Sequence, residues 1–477
     1  MYRRVVISAL CVVLFIGTGA VRSAFGRTLS QQIGSLLLSP QLRGAQVGIC
    51  LAEMGAHGIK PIYELNADVP LMPGSNGKLL TTSAAFARLG ASAVIKTRLY
   101  KVGDNLVIVG GGDPAFGDPV LCQRAGWKVT QVFHDWADQL KKIGVTQVNH
   151  IYIDDSIFNH HFFNPKWPTP ASQRLYWYEA EVGGLNFAMN CVQWAPRIEP
   201  NGTIGVKLIP DTSYTPVVSI QAQRGNSESV WLWRPPGTNT LTLNGTVDAS
   251  TNYYMQVTIH DPGLYTGAVF RHVLREEGIA VNGGVIRKTL SAVSVGRSAQ
   301  LVAVYQTPLV DILHRANTDS INLMAECLCK LLGHLATGQP GSWANGDAAI
   351  MAYLKSIGIN VHLVHMVDGS GLSHHDHIAP SVLVEVLAHD LTLPHARVFV
   401  DSLCRPGHGT LIYRFRGSPA AAHIRAKDGH VTGASTISGY LWDHHHTFIF
   451  SVMVNHYIGN VNGWEDQVID DLYRDYR

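Results

Sequence analysis

The sequence lacks a marked excess of charge of either sign. Its 477 residues include 37 Lys and Arg against 35 Asp and Glu, a formal net charge of +2 at pH 7. Because the net charge is small and no basic run is present, we expect no nucleic-acid partner. Hydrophobic residues make up 46% and charged residues 15%, which is typical of a globular protein with a sizeable core. The sequence also has no internal repeat and no long low-complexity linker.

Long hydrophobic runs are missing after the N-terminus. Arg3 and Arg4 precede an apolar segment over residues 5–20, and small residues follow it, a pattern typical of a secretory signal peptide. We therefore expect residues 1–26 to be a signal peptide. The protein is then exported to the periplasm or cell envelope, where it is soluble or peripheral to the inner membrane. An uncleaved N-terminal anchor is the alternative, and the sequence indicates no oligomeric state.

Cysteine is scarce, and its spacing does not resemble a zinc site. An even number in an exported protein permits disulfides, but the sequence does not choose among the pairings. Two of the cysteines fall on different sides of a predicted helix, so we do not expect them to pair; they are Cys327 and Cys329. After Cys11 in the N-terminal segment, the six cysteines are Cys50, Cys122, Cys191, Cys327, Cys329 and Cys404.

Histidine is abundant, and two groups of it raise the question of a metal. The groups are His374-His375-Asp376-His377 and His444-His445-His446. Adjacent histidines in turns usually point apart, and neither group has a carboxylate or Cys at ligand spacing on a regular element. We therefore predict no metal site and no organic cofactor.

A Ser and a Lys one helical turn apart form the first of three clusters that suggest chemistry. Ser75 follows Pro73 and Gly74, and residues 78–87 form a predicted helix with an apolar stripe. The helix N-terminus would favour an oxyanion at Ser75, and Lys78 could take the Ser proton if burial and nearby cations lower its pKa. By itself, the pattern is more typical of an N-cap followed by a solvated Lys.

The second and third clusters have different settings. Ser320-Ile321-Asn322 opens a predicted helix, where Ser320 could relay a proton and Asn322 could hold a peptide bond; helix capping is the alternative. Lys427-Asp428-Gly429 lies in a predicted strand followed by two more antiparallel strands. There Lys427 would attract anions and lower the pKa of Lys78, and Gly429 would let a substrate backbone approach.

Taken in order, the three clusters resemble the S-x-x-K, S-x-N and K-T-G elements of penicillin-recognising serine acyl-enzymes. Other segments extend the resemblance along most of the chain. With them, the chain resembles the D-alanyl-D-alanine carboxypeptidase/endopeptidase family of low-molecular-mass penicillin-binding proteins, the peptidase S13 type. These segments are residues 66–73, the GGGDP motif at 110–114, the DGSGLS motif at 368–373, residues 409–411, 425–427 and 438–440, and Asn455.

The resemblance implies an α/β (α+β) fold with a transpeptidase/β-lactamase-like core, in which helices flank an antiparallel sheet. Residues 27–94 and 305–477 would form this catalytic domain, with the C-terminal strands pairing beside a hairpin at 46–65. Residues 95–304 would form a β-rich insertion of one or two small domains. Alternating strand patterns and Gly, Pro and Asn turns support the β-rich content, and residues 265–277 form its one clear predicted helix.

The implied function is that of a serine D-Ala-D-Ala carboxypeptidase and/or D,D-endopeptidase acting on peptidoglycan stem peptides. Ser75 would form the acyl-enzyme after activation by Lys78, and Ser320 would pass a proton to the leaving group. Asn322 would orient the peptide, and Lys427 would supply positive field. Peptidoglycan peptides are the expected substrates, and β-lactams are the expected covalent inhibitors.

Two residues depart from the family pattern. Asp428 replaces the Thr of K-T-G, and His430 replaces a small hydroxyl residue. If Asp428 faced the cleft it would repel a substrate carboxylate, but strand alternation leaves its direction open, and it could pair with Lys427 or Arg425. The backbone N–H of His430 should still form an oxyanion hole with that of Ser75.

We expect the departure at position 428 to affect carboxypeptidase specificity more than acylation, and an endopeptidase preference is one consistent outcome. The sequence leaves three alternatives open. They are a β-lactamase, an esterase of the same fold, and a degenerate, non-catalytic peptidoglycan-binding protein.

Overall fold

The computed structural model describes residues 27–168, 173–210, 212–249, 254–443 and 445–476. The predicted signal peptide at residues 1–26 and His444 of the second histidine group lie outside the described residues. The helices are α1 Leu29–Leu36, α2 Gly77–Leu89, α3 Pro119–Arg124, α4 Gln131–Lys142, α5 Pro262–Glu276, α6 Leu290–Val293, α7 Leu309–Asn317, α8 Asn322–Thr337, α9 Trp343–Ser356, α10 Pro380–Asp390, α11 Ala396–Ser402 and α12 Asn462–Tyr476.

The described strands range from two to ten residues in length. They are β1 Gln46–Gly55, β2 Gly58–Leu65, β3 Val94–Val102, β4 Asn105–Val109, β5 Gln147–Val148, β6 Ile151–Asp154, β7 Cys191–Ile198, β8 Ile204–Ile209, β9 Val217–Ile220, β10 Gln223–Arg224, β11 Ser229–Trp233, β12 Leu241–Val247, β13 Met255–Thr258, β14 Ala280–Val281, β15 Val285–Arg287, β16 Ala299–Pro308, β17 Val364–His365, β18 His377–Ile378, β19 Ile424–Val431, β20 Ala434–Trp442 and β21 Thr447–Asn455.

An antiparallel sheet in the order β19-β20-β21-β1-β2 joins the two ends of the chain. The predicted pairing of the C-terminal strands beside the first hairpin is therefore confirmed. Alternate residues of the sheet face opposite sides. Phe450 and Val452 belong to one apolar cluster with residues of α1 and α12, whereas Ile449 and Met453 belong to another with residues of α2, α8 and α10. Helices thus cover both faces, as the predicted α+β core requires.

Two of these helices are buried along most of their length. Every residue of α8 from Asn322 to Gly333 is buried, and α2 is buried over its first ten residues. Both helices end at a glycine: Gly90 follows α2, and Gly338 adopts a left-handed conformation after α8. A polar side chain on such a buried helix costs free energy unless it has a hydrogen-bond partner. The polar residues of these two helices are therefore the first candidates for a functional site.

The segment between the two parts of the core carries further sheets. One has the order β15-β6-β4-β3-β16, a second has β13-β7-β8, and a third has β10-β12-β11 with β9 also paired to β12. The predicted helix here is α5. The sequence prediction missed α4, whose Phe133 and Trp136 pack with Phe270 of α5. The proposed boundary between residues 304 and 305 falls inside β16.

The described part of the chain contains free cysteines and no membrane-spanning helix. The six cysteines after the N-terminal segment are free and buried, so Cys327 and Cys329 do not pair, as expected. Within the described ranges, no helix combines the length and apolar character needed to cross a bilayer.

Candidate active site

Ser75 lies in a short 3-10 turn, Gly74–Asn76, directly before α2. Asn455 at the end of β21 holds the preceding chain, because its Oδ1 accepts from the backbone N–H of Met72 at 2.8 Å. Gly74 has φ +50°, and a Cβ there would lie 3.0 Å from the backbone N of His430. Only glycine combines that backbone conformation with so close an approach to β19. Ser75 is therefore held between the start of α2 and strand β19.

Lys78 is fully buried on the first turn of α2. Its Nζ donates to Asn322 Oδ1 at 2.6 Å and to the Ser370 carbonyl oxygen at 3.1 Å, and it lies 2.8 Å from Ser75 Oγ. Burial and the nearby Lys427 ammonium hold the pKa of Lys78 well below its usual range. A neutral amine has two N–H groups and one lone pair. In the neutral form, whose two N–H groups can serve Asn322 and Ser370, the lone pair would face Ser75 Oγ.

The segment entering α8 brings Ser320 and Asn322 to the same place. Ser320 has φ +59°, a conformation uncommon outside glycine, and Asn322 is the first residue of the helix. While Asn322 Oδ1 accepts from Lys78, its Nδ2 donates to the Tyr178 carbonyl oxygen at 2.9 Å. These two contacts fix the orientation of the amide. The Asn322 side chain therefore contacts Lys78 and Tyr178 and does not cap α8.

Lys427 and Asp428 form an ion pair within β19. Lys427 is fully buried, and its Nζ donates to the Asp428 carbonyl oxygen at 2.5 Å and to Asp428 Oδ1 at 3.2 Å. Thr410 Oγ1 also donates to Asp428 Oδ1 at 2.5 Å. Burial alone would raise the pKa of Asp428, but Lys427, Thr410 and Arg414 outweigh it and lower the pKa. Of the two partners that the sequence allowed for Asp428, the structure contains Lys427.

Gly429 packs against the turn that carries Ser75. A Cβ there would meet Thr436 Oγ1 first, and it would lie 2.5 Å from the Pro73 carbonyl oxygen and 2.9 Å from the backbone N of Asn76. The side of Gly429 on which a side chain would stand is therefore occupied by Thr436 and by the Ser75 turn. His430 has an exposed side chain, and its Nδ1 lies 3.3 Å from the Tyr457 hydroxyl.

One cavity of about 480 Å³ unites the predicted residues. Ser75, Ser320, Asn322, Asp428 and His430 line it, whereas Lys78, Lys427 and Gly429 are buried behind the wall. The sequence analysis did not identify some of the lining residues, and three of these, Pro168, Trp177 and Tyr178, come from residues 95–304. The lining residues absent from the predicted set are Pro168, Trp177, Tyr178, Asp319, Leu372, His374, Thr410, Val431 and Thr432.

Buried acids support the loop that holds Lys78. Asp368 Oδ1 accepts from the backbone N–H groups of Ser370 at 3.0 Å and Gly371 at 2.6 Å, which fixes the Ser370 carbonyl that Lys78 contacts. Glu326 Oε2 accepts from the Gly369 N–H at 3.0 Å. Burial and the neighbouring Asp368 raise the pKa of Glu326 to about 8. Burial and the Asp368 charge thus favour the protonated form of Glu326.

The histidine groups do not form a ligand set in the described part of the chain. No group of three or more His, Cys, Asp or Glu side chains there is arranged to hold a metal ion. His374 lines the cavity, whereas Asp376 is buried and accepts from the Val367 N–H at 2.7 Å.

Comparison with known proteins agrees with this geometry. The sequence matches the D-Ala-D-Ala carboxypeptidase 3 (S13) family over residues 29–471. The chain belongs to this family. Membership of the S13 family confirms the predicted serine peptidase of the D-Ala-D-Ala carboxypeptidase type.

Individual relatives of the S13 chain cover most of its length. A D-alanyl-D-alanine carboxypeptidase from Actinomadura sp. (strain R39) is 26% identical, over 95% of this chain and 86% of the relative. Carboxypeptidase DacB from Mycolicibacterium smegmatis is 25% identical, over 87% of this chain and 77% of the relative. The crystal structure of penicillin binding protein 4 (dacB) from Haemophilus influenzae superposes with a TM-score of 0.76 at 20% identity, covering 93% and 99% of the two chains. This last likeness confirms the predicted fold.

Proposed function

We propose that Ser75 is the nucleophile of a D-Ala-D-Ala carboxypeptidase/endopeptidase and that Lys78 is its general base. One observation carries the proposal: the buried Lys78 Nζ lies 2.8 Å from Ser75 Oγ, and its pKa is lowered by burial and by Lys427. A neutral amine at that distance can take the hydroxyl proton as Oγ attacks a carbonyl.

The reaction follows from the surrounding groups. Ser75 Oγ bonds to the carbonyl carbon of the penultimate D-Ala of a stem peptide, and its proton passes to Lys78 Nζ. Ser320 conducts a proton to the leaving amine as the C–N bond breaks, and Asn322 orients the peptide. A water molecule then attacks the ester, which releases the peptide acid and returns the proton to Ser75 Oγ. A β-lactam is opened by the same attack and stays bound because its ester hydrolyses slowly.

The tetrahedral intermediate needs donors for its oxyanion. The backbone N–H groups of Ser75 and His430 are our candidates, since the turn of Ser75 packs against β19 at Gly74 and Gly429. His430 replaces a small hydroxyl residue of the family pattern, but the change of side chain leaves the backbone N–H of residue 430 in place. Lys427, which is buried behind the residues that line the cavity, adds a positive electrostatic potential at the site.

An endopeptidase preference is the second candidate, and Asp428 supports it. Its carboxylate lines the cavity, and its lowered pKa keeps it ionised near neutral pH. A negative charge there disfavours a substrate whose terminal carboxylate lies beside the scissile bond. A cross-linked peptide with no free carboxylate at that point meets no such repulsion.

The site's setting in the chain and the cell is also part of the proposal. Residues 27–94 and 305–477 form the catalytic domain, and 95–304 form the insertion. The protein acts in the periplasm or cell envelope on peptidoglycan peptides, with β-lactams as covalent inhibitors; the Haemophilus influenzae protein has a structure complexed with a β-lactam. Peripheral membrane association is compatible with this setting.

Fluorescent penicillin tests the proposal. The protein lacking residues 1–26 should be labelled stably, and Ser75→Ala should abolish labelling without changing thermal stability by more than about a degree or two. Rapid turnover of penicillin would indicate the β-lactamase alternative. Ester hydrolysis without labelling would indicate the esterase alternative. Absence of both labelling and hydrolysis would contradict the Ser75 mechanism.

A further inference from the structure

A second groove, the aromatic groove, lies beside the catalytic cleft. We define it by Trp177, Trp231, Trp233, Tyr254 and the amide side chains of Gln193 and Gln256, and its volume is about 590 Å³. It lies between β11 of one sheet and the β13–β7 pair of another. Its size falls within the roughly 300–1,000 Å³ of small-ligand pockets.

The indole rings of the groove are open to solvent. Trp231 and Trp233 are two residues apart on β11, so they share one face of the strand, and they are 53% and 43% exposed. Leu232 between them is buried on the opposite face. Large exposed aromatic side chains concentrated in one concavity mark a binding surface rather than ordinary scattered surface residues.

The position of the Trp231 ring is set by its neighbours. Gly245 on β12 has φ +102°, and a Cβ there would lie 3.1 Å from Trp231 Cζ3. The Ser229 carbonyl oxygen, which lies closer still to the same Cβ position, is the first obstacle to a side chain at position 245, and the indole is the second. The glycine therefore lets β11 approach closely and leaves room for the Trp231 ring over the neighbouring strand.

The chemistry of the lining selects an uncharged ligand. Among the described residues that line the aromatic groove, none has a charged side chain. One charged group lies next to the lining: Lys207 Nζ is 5.5 Å from the centroid of the Tyr254 ring. The lining itself offers no carboxylate to a cationic peptide. Pyranose rings match the lining, because the C–H bonds on a sugar face carry partial positive charge and pack against the negative face of an aromatic ring. The amides of Gln193 and Gln256 can bond to hydroxyl or N-acetyl groups.

Trp177 connects the groove with the cleft, since it lines both. We propose that the aromatic groove binds the glycan strand of peptidoglycan, a chain of N-acetylated, β-linked pyranose units, while the attached stem peptide occupies the Ser75 cleft. The choice of this glycan rests on the proposed function, but saccharide binding by the groove does not require catalysis. The inserted segment then contributes to substrate selection.

Binding of chitotetraose, a β-linked tetramer of N-acetylglucosamine, to the protein lacking residues 1–26 tests the inference. Calorimetry should show saturable binding, and Trp231→Ala or Trp233→Ala should each raise Kd about tenfold or more. Trp231→Tyr should retain most of the affinity because it keeps an aromatic face. Trp127→Ala is the matched control, since Trp127 is 49% exposed outside the groove; its Kd should equal that of the wild type.

Three results would overturn the inference: no saturable binding by the wild type, an unchanged Kd in both groove variants, or displacement of chitotetraose by free stem peptide. Displacement would indicate that a peptide strand adds to β11 or β13 instead. Fluorescent-penicillin labelling of each variant separates the two proposals. Labelling without saccharide binding contradicts only the groove, and saccharide binding without labelling contradicts only the Ser75 mechanism.

Discussion

Lys78 Nζ and Asn322 Oδ1 lie 2.6 Å apart, although their residues are separated by 244 positions in the sequence. The contact links the first turn of α2 to the first residue of α8. An amide oxygen can accept from a neutral amine without adding a formal charge, so this partner does not oppose the lowering of the Lys78 pKa by burial and by Lys427.

Asn322→Asp should therefore impair acylation through the pKa of Lys78. A carboxylate at this position stabilises the ammonium, so the pKa of Lys78 rises and less neutral base is present at pH 7. We expect the ascending limb of the pH–rate profile for penicillin acylation to move to higher pH by about one unit or more. Asn322→Ala is the control: it should lower the rate without moving the limb in that direction. Identical profiles for Asn322→Asp and the wild type would contradict this prediction.

Asp428→Thr should shift the substrate preference toward peptides that end in a free carboxylate. The substitution removes a negative charge from the cavity wall and frees Lys427 from its partner. We expect kcat/KM for a D-Ala-D-Ala-terminated peptide to rise about tenfold, equivalent to roughly 1.4 kcal/mol. Activity on a cross-linked peptide should change less. Asp428→Asn separates charge from shape, and an equal effect of Asn and Thr would assign the change to charge. A fall in kcat/KM for both substrates would show that the Asp428–Lys427 pair is needed for assembly of the site.

Gly429→Ala should disrupt the position of the nucleophile. The added Cβ would lie 2.5 Å from the Pro73 carbonyl oxygen, so either β19 or the Ser75 turn must move. Displacements near 1 Å can cost about a hundredfold in rate. We expect the rate of penicillin acylation to fall by about that factor, while the protein remains folded in a thermal unfolding experiment. Gly34→Ala in α1 is the control, since nothing lies within 4 Å of its Cβ. Unchanged acylation in Gly429→Ala would mean that the strand can move without carrying the turn.

The local sequence predicts the parts of this molecule whose signals are short-range. Ser75 and Lys78 are one helical turn apart, so their proximity follows from helix geometry alone. The strand pattern of the C-terminal region likewise predicts β19, β20 and β21 from period-two alternation. Helix α4 carried a detectable signal too, because its buried residues Phe133, Trp136 and Leu140 repeat at spacings of three and four. The strand-like segments on both sides of it mask this pattern in the sequence.

Other features depend on contacts that no local pattern encodes. Trp177 and Tyr178 reach the cleft because their segment of the chain lies against the start of α8, where Asn322 donates to the Tyr178 carbonyl oxygen. The side of Gly429 on which a side chain would stand is occupied in part by a turn from the other end of the chain. Strand alternation alone could not predict that Asp428 lines the cavity and also pairs with Lys427, because a long Lys side chain can fold back along its own strand.

Glu326 should make the stability of the protein depend on pH. Its pKa is raised to about 8 from an ordinary value of 4.5, chiefly by burial and then by Asp368. Between these pH values the folded protein retains a proton that the unfolded chain has released. The free energy of unfolding must therefore fall as pH rises through this window, by up to about 1.4 kcal/mol per pH unit for one group.

Glu326→Gln should reduce that slope. The amide oxygen can still accept from the Gly369 N–H and Trp343 Nε1, the two donors that Glu326 Oε2 now serves, and no ionisation remains. Other buried acids with raised pKa values, such as Asp113, keep part of the dependence in both proteins. Urea unfolding at several pH values between 5 and 8 should thus give a flatter curve for Glu326→Gln than for the exposed control Glu276→Gln. Parallel curves would mean that Glu326 is ionised in the folded protein, and that the loop which holds Lys78 has the Glu326 charge behind it.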